Sequence, residues 1–395
     1  MKRNYIPFLL ALILTPTIVF SQVGPGGVGN SADIESWLDA TKLGLSNNDL
    51  VSSWTDFSGK GNHAEQSNSS FRPTFKTNQL NGLPAIQFDG TNDYLEYLSH
   101  ITNSGITTFI VFKENASKNT QALLNIENHY FAARNVGGNS FNATYGSFSS
   151  INTLRISRTA DFSIFSASTE NNVGTADLYM TSGALKSTKS RTGYFTSTQS
   201  KVGVRVLSNA YHLNGLLSEI IIFDDKINSA KRKIVSAYLG AKYNLTPEQS
   251  LFAYGSAHGS EVFGIGQESD GSNTTAQGTG IVEISNASAL GNGDYLLIGH
   301  DNGGLSTTTS VGSAYASNRF NQTWRADVTN TPGTIDIKFF LTGNNFAVDP
   351  ANDYRLLIDN TTGAFDNSSI SQSLTGTYNA IDETITFTGV ALTDG

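Results

Sequence analysis

The chain has 395 residues, 25 basic against 33 acidic, few charged residues (15%) and no cysteine. This length accommodates roughly two or three domains of about 100–200 residues each, and the acidic balance argues against nucleic acid or anionic membrane surfaces as partners. Without cysteine there are no disulfides and no thiol chemistry, so stability has to come from packed cores.

The N-terminus reads as a secretory signal. Lys2 and Arg3 precede an apolar run from Phe8 to Phe20, interrupted by Thr15, Pro16 and Thr17. Val19 and Ser21 place cleavage between Ser21 and Gln22. The run is shorter than the roughly 20 apolar residues of a spanning helix, and no later stretch is apolar enough to span. Residues 1–21 are therefore predicted to be removed, leaving a net charge of 23 − 33 = −10. An exported, cysteine-free chain rich in Gly, Ser, Thr and Asn suits a secreted or surface-bound bacterial protein. Residues 22–32 are expected to be a flexible leader. Their G-x-G-x-x-G (Gly24, Gly26, Gly29) follows a cleavage site rather than a strand, so it is not a dinucleotide fingerprint.

Residues 33–246 are predicted as a first, all-β domain. Short apolar runs alternate with Asn, Asp, Gly and Pro. Strands are expected at Trp37–Leu38, Leu50–Trp54, Pro84–Phe88 and Tyr94–Tyr97, with loops at Asp56–Asn62 and Asp89–Asp93. Thr107–Lys113 and Leu216–Phe223 are unbroken apolar runs, the pattern of central strands buried on both faces. Weaker strand patterns lie at Ala122–Ile126, Tyr130–Ala133, Leu154–Ser157, Phe162–Ser166, Asp177–Thr181 and Lys201–Val206. The period then changes. Ile234, Ala237, Tyr238 and Ala241 recur at helical spacing, which predicts a helix over Ser229–Asn244 with Asn228 or Ser229 as its cap.

Residues 247–258 are expected to be a linker, and 259–395 a second all-β domain. Its strands are predicted around Val262–Gly266, Tyr295–Asp301, Arg319–Ala326, Thr334–Phe340 and Tyr354–Asp359. Residues 385–395 stop in mid-rhythm, so the natural polypeptide is expected to continue.

Several motifs carry a family resemblance. Trp37-x-Asp39 and Trp54-x-Asp56-x-Ser58-Gly59-x-Gly61-Asn62 resemble the laminin-G-like (LamG-like), concanavalin A-like jelly roll of bacterial surface proteins. So do Asn81-Gly82-x-Pro84, Phe88-Asp89-Gly90-x-Asn92-Asp93-Tyr94, Gly215-x-x-Ser218-Glu219-Ile220 and Tyr238-Leu239-Gly240-x-Lys242-Tyr243. The resemblance covers residues 33–246. It implies a jelly-roll β-sandwich with one C-terminal helix, followed by a second β-sandwich. The second domain resembles an uncharacterised all-β module found after LamG-like domains in Bacteroidetes surface proteins. That resemblance implies no activity.

Asp89, Asn92 and Asp93 place three oxygen donors in one turn, a candidate Ca²⁺ site. The same residues suit Asx turns. Asp56, Ser58 and Asn62 form a second candidate loop. Some jelly rolls of the resembled type bind Ca²⁺ through loop carboxylates, so the resemblance points the same way. Glycosidases need two carboxylates across a bond, and concanavalin A-like glucanases carry E-x-D-x-E or E-x-D-x-x-E. Neither pattern is present, and Glu219 reads as an exposed strand residue or a salt-bridge partner. Neither H-E-x-x-H nor G-x-S-x-G occurs. His63, His258 and His300 read as solvated loop residues. Tyr94, Tyr97, Tyr130 and Tyr211 are candidate stacking platforms, or else core aromatics. These readings lead to a non-catalytic protein that binds a glycan or protein through jelly-roll loops. The alternatives are a structural spacer and a divergent glycoside hydrolase.

Overall fold

The computed structural model describes residues 23–97, 105–115, 121–126, 129–135, 141–147, 154–158, 161–170, 172–180, 187–193, 199–206, 208–247, 251–278, 281–341 and 353–394. Residues 1–21, and with them the expected signal peptide, lie outside this set.

The first domain is a sandwich of two eight-stranded antiparallel sheets. Its centre is a pair of long strands, β2 (Gly105–Glu114) and β3 (Asn214–Phe223), hydrogen-bonded to each other. β3 divides its outer edge. Asn214–Leu217 pairs with the strand Leu83–Asp89, and Glu219–Phe223 pairs with β1 (Ile34–Asp39). Successive strand residues point to opposite faces. Ile106, Ile110, Phe112, Leu217, Ile220 and Ile222 therefore enter the core between the sheets, while Phe109, Val111, Ile221 and Phe223 enter a second core outside it. Both faces are covered, which is why these two runs are apolar without alternation.

The second core is built around α1 (Ser229–Tyr243). The Asn228 side chain accepts the Lys231 N–H at 2.9 Å, and Asn244 ends the helix with φ +52°. Ile234, Ala237 and Tyr238 are buried as the helical spacing predicts. Residues 24–28, expected to belong to a flexible leader, are buried as well. A one-turn 3₁₀ helix, Pro25–Gly27, lies between α1 and the second domain. A Cβ on Gly27 would stand 2.8 Å from the Ala276 Cβ, and its φ of +72° favours glycine. The Gly-rich composition that suggested flexibility serves close packing instead. The expected linker also contributes to this core, through Leu251 and Phe252.

The second domain is a smaller sandwich. Its four-stranded sheet runs Gly271–Asn273, β4 (Ser260–Glu268), β6 (Tyr295–His300) and β7 (Trp324–Thr329). The five-stranded sheet runs Ala276–Gln277, β5 (Val282–Ser285), β8 (Ile335–Phe340), β11 (Thr384–Val390) and Thr377–Asn379. A hairpin of β9 (Arg355–Asp359) and β10 (Ile370–Thr375) stands beside them. Val262, Tyr295 and Leu297 of this domain complete the core around α1. The start of α1 is bonded to the second domain: Ser229 N–H donates to Asp270 at 3.0 Å, and Lys233 pairs with Glu268 at 2.6 Å.

The end of α1 is bonded to the first domain. Lys242 Nζ lies 2.7 Å from Asp39 and 2.7 Å from Glu219, and neither carboxylate side chain is exposed to solvent. Glu219 also accepts from Trp37 Nε1 (2.7 Å), Tyr238 OH (3.1 Å) and Tyr243 OH (2.9 Å). Of the two readings of Glu219, the structure selects the salt-bridge partner; burial excludes the exposed one. Burial pushes the Glu219 carboxyl up, and the donors converging on its two oxygens oppose that. Burial also works against the charge on Asp39, but Lys242 and Thr41 outweigh it and hold that carboxyl below its usual range. Replacing Lys242 with Met leaves two buried carboxylates without their cation. The expected loss is about 3–5 kcal/mol, read as a lower urea midpoint; an unchanged midpoint would show that the network contributes nothing to stability.

Candidate functional site

The glycine-rich loop after Trp54 is a structural strap. Asp56 Oδ1 accepts the N–H groups of Trp37 (2.8 Å) and Ser58 (2.9 Å), and Oδ2 accepts Ser58 Oγ (2.7 Å) and Asn62 N–H (2.8 Å). The Asn62 amide donates to Glu35, to its carbonyl at 2.7 Å and its carboxylate at 2.9 Å. His63 Nδ1 accepts the Asp56 N–H at 2.9 Å. Four donors occupy the Asp56 carboxylate, so this loop clamps β1 rather than presenting oxygens outward.

The Asp89–Asp93 turn has similar bonding. Asp89 Oδ1 accepts the N–H groups of Thr91 (2.7 Å), Asn92 (3.2 Å) and Asp93 (3.4 Å). Asp93 Oδ2 accepts the Asp89 N–H at 2.9 Å, and the Asn92 amide donates to the Ser70 carbonyl at 3.1 Å. This is the bonding of Asx turns. Among the described residues, no three His, Asp or Glu side chains converge as a metal centre requires. His300, expected to be a solvated loop residue, instead ends β6 with only 6% exposure, and its Nε2 lies 3.2 Å from Glu261.

Tertiary structure brings a second loop against this turn. His212 Nε2 lies 2.9 Å from the Asn209 carbonyl and its Nδ1 lies 3.5 Å from the Asp93 carbonyl. Lys201 Nζ bonds Asn209 Oδ1 at 3.1 Å and stands 4.7 Å above the Tyr94 ring, which stacks on Phe71 at 5.9 Å. Tyr211 is 42% exposed, with the Arg205 guanidinium 5.7 Å over its ring. Its φ is +61°, a left-handed conformation that costs energy for a bulky side chain. The backbone enforces it: the Tyr211 carbonyl accepts the Ala122 N–H at 2.8 Å, and the Ala210 carbonyl accepts the Arg205 N–H at 2.9 Å.

Of the four tyrosines proposed as platforms, Tyr211 is exposed, and Tyr94 is half-buried with its ring against Lys201 and Phe71. Tyr97 is 4% exposed and belongs to the core. The side chain of Tyr130 lies outside the described residues. Lys201, Arg205, Asn209 and His212 were not singled out from sequence. Nothing local marks them, because their role depends on which loop faces the Asp89 turn.

The profile of a family described as "Domain of unknown function (DUF8202)" matches residues 231–395, beginning inside α1. No curated protein matches the chain. Among solved structures, the chain is similar to domain 4 of an extracellular arabinanase from Geobacillus stearothermophilus, in complex with arabinotriose. The identity is 13% and the TM-score 0.35, over 51% of this chain and 97% of that one. It is similar to an α-L-arabinofuranosidase at 12% identity and TM-score 0.36, over 59% of each chain. A Trypanosoma rangeli sialidase in complex with sialic acid has 12% identity and TM-score 0.36, over 56% of this chain and 36% of that one.

Two expectations follow from the turn. Burial and the neighbouring Asp89 carboxylate raise the Asp93 carboxyl to about 6, so the folded state holds its proton more tightly than the unfolded chain. That contribution to stability is complete at low pH and is lost as pH rises through about 6. Asp93→Asn is therefore expected to gain in unfolding temperature, relative to the parent, on going from about pH 5 to about pH 7.5. A constant difference would mean that Asp93 titrates normally. The Asx bonding also leads us to expect no change in unfolding temperature when EDTA is replaced by millimolar Ca²⁺. An upward shift, abolished in Asp89→Ala, would place a cation at the turn.

Proposed function

We propose that this chain is a secreted or cell-surface binding protein without catalytic activity, which takes a glycan or a protein surface at the jelly-roll patch formed by Tyr94, Arg205, Tyr211 and His212. The observation that carries this reading is the exposed Tyr211 ring, held in a left-handed conformation by two backbone hydrogen bonds. Strain of this kind persists where surrounding structure over-determines it, and it clusters at ligand contacts. The exposed Tyr211 ring with the Arg205 guanidinium 5.7 Å over it offers an aromatic surface beside a cation, which suits a sugar ring, apolar on its faces and hydroxylated at its edges.

The motif carboxylates support binding over hydrolysis. Asp39, Asp56 and Glu219 are buried and occupied by internal donors, so these three do not offer the pair that glycoside hydrolysis needs. The charged n-region and apolar run of residues 1–21 support export. A rigid spacer is the second reading, favoured by the core that the two sandwiches share around α1.

The test is retention of the protein by a panel of soluble polysaccharides in affinity electrophoresis. Tyr211→Ala is expected to weaken retention about tenfold, equivalent to about 1.4 kcal/mol of lost stacking, while the unfolding midpoint stays within about 0.5 kcal/mol of the parent. Retention unchanged by the substitution would remove the patch from the reading. No retention by any polysaccharide would leave the protein-surface ligand or the spacer.

A further inference from the structure

Asp39 ends β1, and Glu219 lies directly opposite it on β3. Trp37 and Ile221, two positions away on the same strands, enter the core around α1, so the two carboxylates point to that side of the sheet as well. Lys242, in the last turn of α1, reaches between them. Its Nζ stands 2.7 Å from Asp39 Oδ2 and 2.7 Å from Glu219 Oε2, and both carboxylate side chains are 0% exposed. At an ordinary hydrogen-bond angle such a contact sets a nitrogen roughly 3.5 Å from the carboxyl carbon, the outer limit of a near-attack distance. An amine, a carboxyl carbon and a second carboxylate able to carry protons are the components of an amide condensation.

The hydrogen bonds distinguish the two carboxylates. Asp39 Oδ1 accepts the Thr41 N–H at 2.9 Å and the Thr41 hydroxyl at 2.7 Å, while Oδ2 receives Lys242. The two donors on Oδ1 are aimed where negative charge grows when a nucleophile adds to the Asp39 carboxyl carbon. Glu219 is fixed beside the amine by Trp37, Tyr238 and Tyr243. Burial pushes its carboxyl up, which suits it to take a proton. Burial also works against the Lys242 ammonium, but Glu219, Tyr238, Tyr243 and Asp39 outweigh it and hold its proton in place, so the transfer is the slow part. In water an ammonium and a carboxylate are more stable than their amide. In a site closed to water the balance shifts, because condensation removes two of three buried charges and hydrolysis lacks its reactant. The Lys242 side chain is 15% exposed, which marks the way out for the water formed.

We propose that Lys242 and Asp39 condense after folding into an amide cross-link, with Glu219 as the proton carrier. Glu219 takes a proton from the ammonium, and the freed amine adds to the Asp39 carboxyl carbon. The N–C bond forms, the bond from that carbon to Oδ2 breaks, and Oδ2 leaves as water with the two protons that the ammonium has given up. Glu219 ends as it began, and no oxidant or reductant takes part. The amide ties β1 to the end of α1, across 203 positions of a chain that has no cysteine. It thus restricts the unfolded chain as a disulfide would. This site is separate from the jelly-roll patch and does not depend on it.

The test is peptide mapping by tandem mass spectrometry, on full chain that has been held folded at neutral pH for days and then denatured and digested. The peptide containing Asp39 is expected to be joined to the one containing Lys242, at their summed mass less one water, with trypsin no longer cleaving after Lys242. Glu219→Gln keeps the size of the side chain but cannot carry the proton, and is expected to slow formation at least about a hundredfold. Its circular dichroism spectrum checks that it folds. Recovery of Asp39 and Lys242 only in separate peptides of the parent would overturn the proposal, whether or not the variant folds. So would a water lost within a single peptide, as from an imide at Asp89-Gly90. A cross-link to Glu219 in place of Asp39, or an undiminished rate in folded Glu219→Gln, would overturn the roles assigned to the two carboxylates.

Discussion

Lys242 is held between two carboxylates that have no access to water, and the arrangement of the molecule depends on that contact. Asp39 comes from β1, Glu219 from β3 and Lys242 from the last turn of α1. Burying three charges is costly unless each is paired and hydrogen-bonded. Here Trp37, Tyr238 and Tyr243 supply the remaining donors to Glu219. The network fixes where the helix ends relative to the sheet. An apolar contact would tolerate sliding of the helix by part of a turn, whereas a network that leaves no charge unpaired has a single register. The motifs quoted for the family resemblance meet at this point. Trp37-x-Asp39, Ser218-Glu219-Ile220 and the Tyr238–Tyr243 segment form one structural unit.

That register decides what else can pack. With α1 fixed, its outer surface becomes the base on which the second domain sits. Val262, Tyr295 and Leu297 enter the same core as Phe109, Ile221 and Phe223. The family profile that begins inside α1 is consistent with counting the helix with the second domain as much as with the first. The segment Gly24–Val28 fills the remaining gap, with Gly26 against Ile234 and Gly27 against Ala276, where a side chain at Gly27 would collide. The two sandwiches therefore share a core, and a cut between them would expose apolar surface on both sides.

A shared core leaves other contacts to the loops. The Tyr211 loop and the Asp89 turn come from distant parts of the chain and meet through His212, whose Nδ1 lies 3.5 Å from the Asp93 carbonyl. The Tyr211 ring is 42% exposed there, with the Arg205 guanidinium 5.7 Å over it.

The local pattern of residues determined the all-β class, the two doubly buried central strands and the limits of the single long helix. Each of these is a short-range property: unbroken branched and aromatic runs, a change of period at Ser229, an Asn at either helix end. The residues of the buried network stand out only as motifs of the family resemblance, which does not show that Asp39 and Glu219 would share one lysine, 203 residues beyond Asp39. Leu95 and Tyr97 fall on the same face of a strand, so the burial of Tyr97 could have been read from alternation, whereas the exposure of Tyr211 could not. Its left-handed backbone arises from bonds to Ala122 and Arg205. The packing of the leader and the meeting of the Asp89 and Tyr211 loops were decided only by tertiary structure. Both depend on which distant elements become neighbours, and side-chain period along one segment carries no record of that.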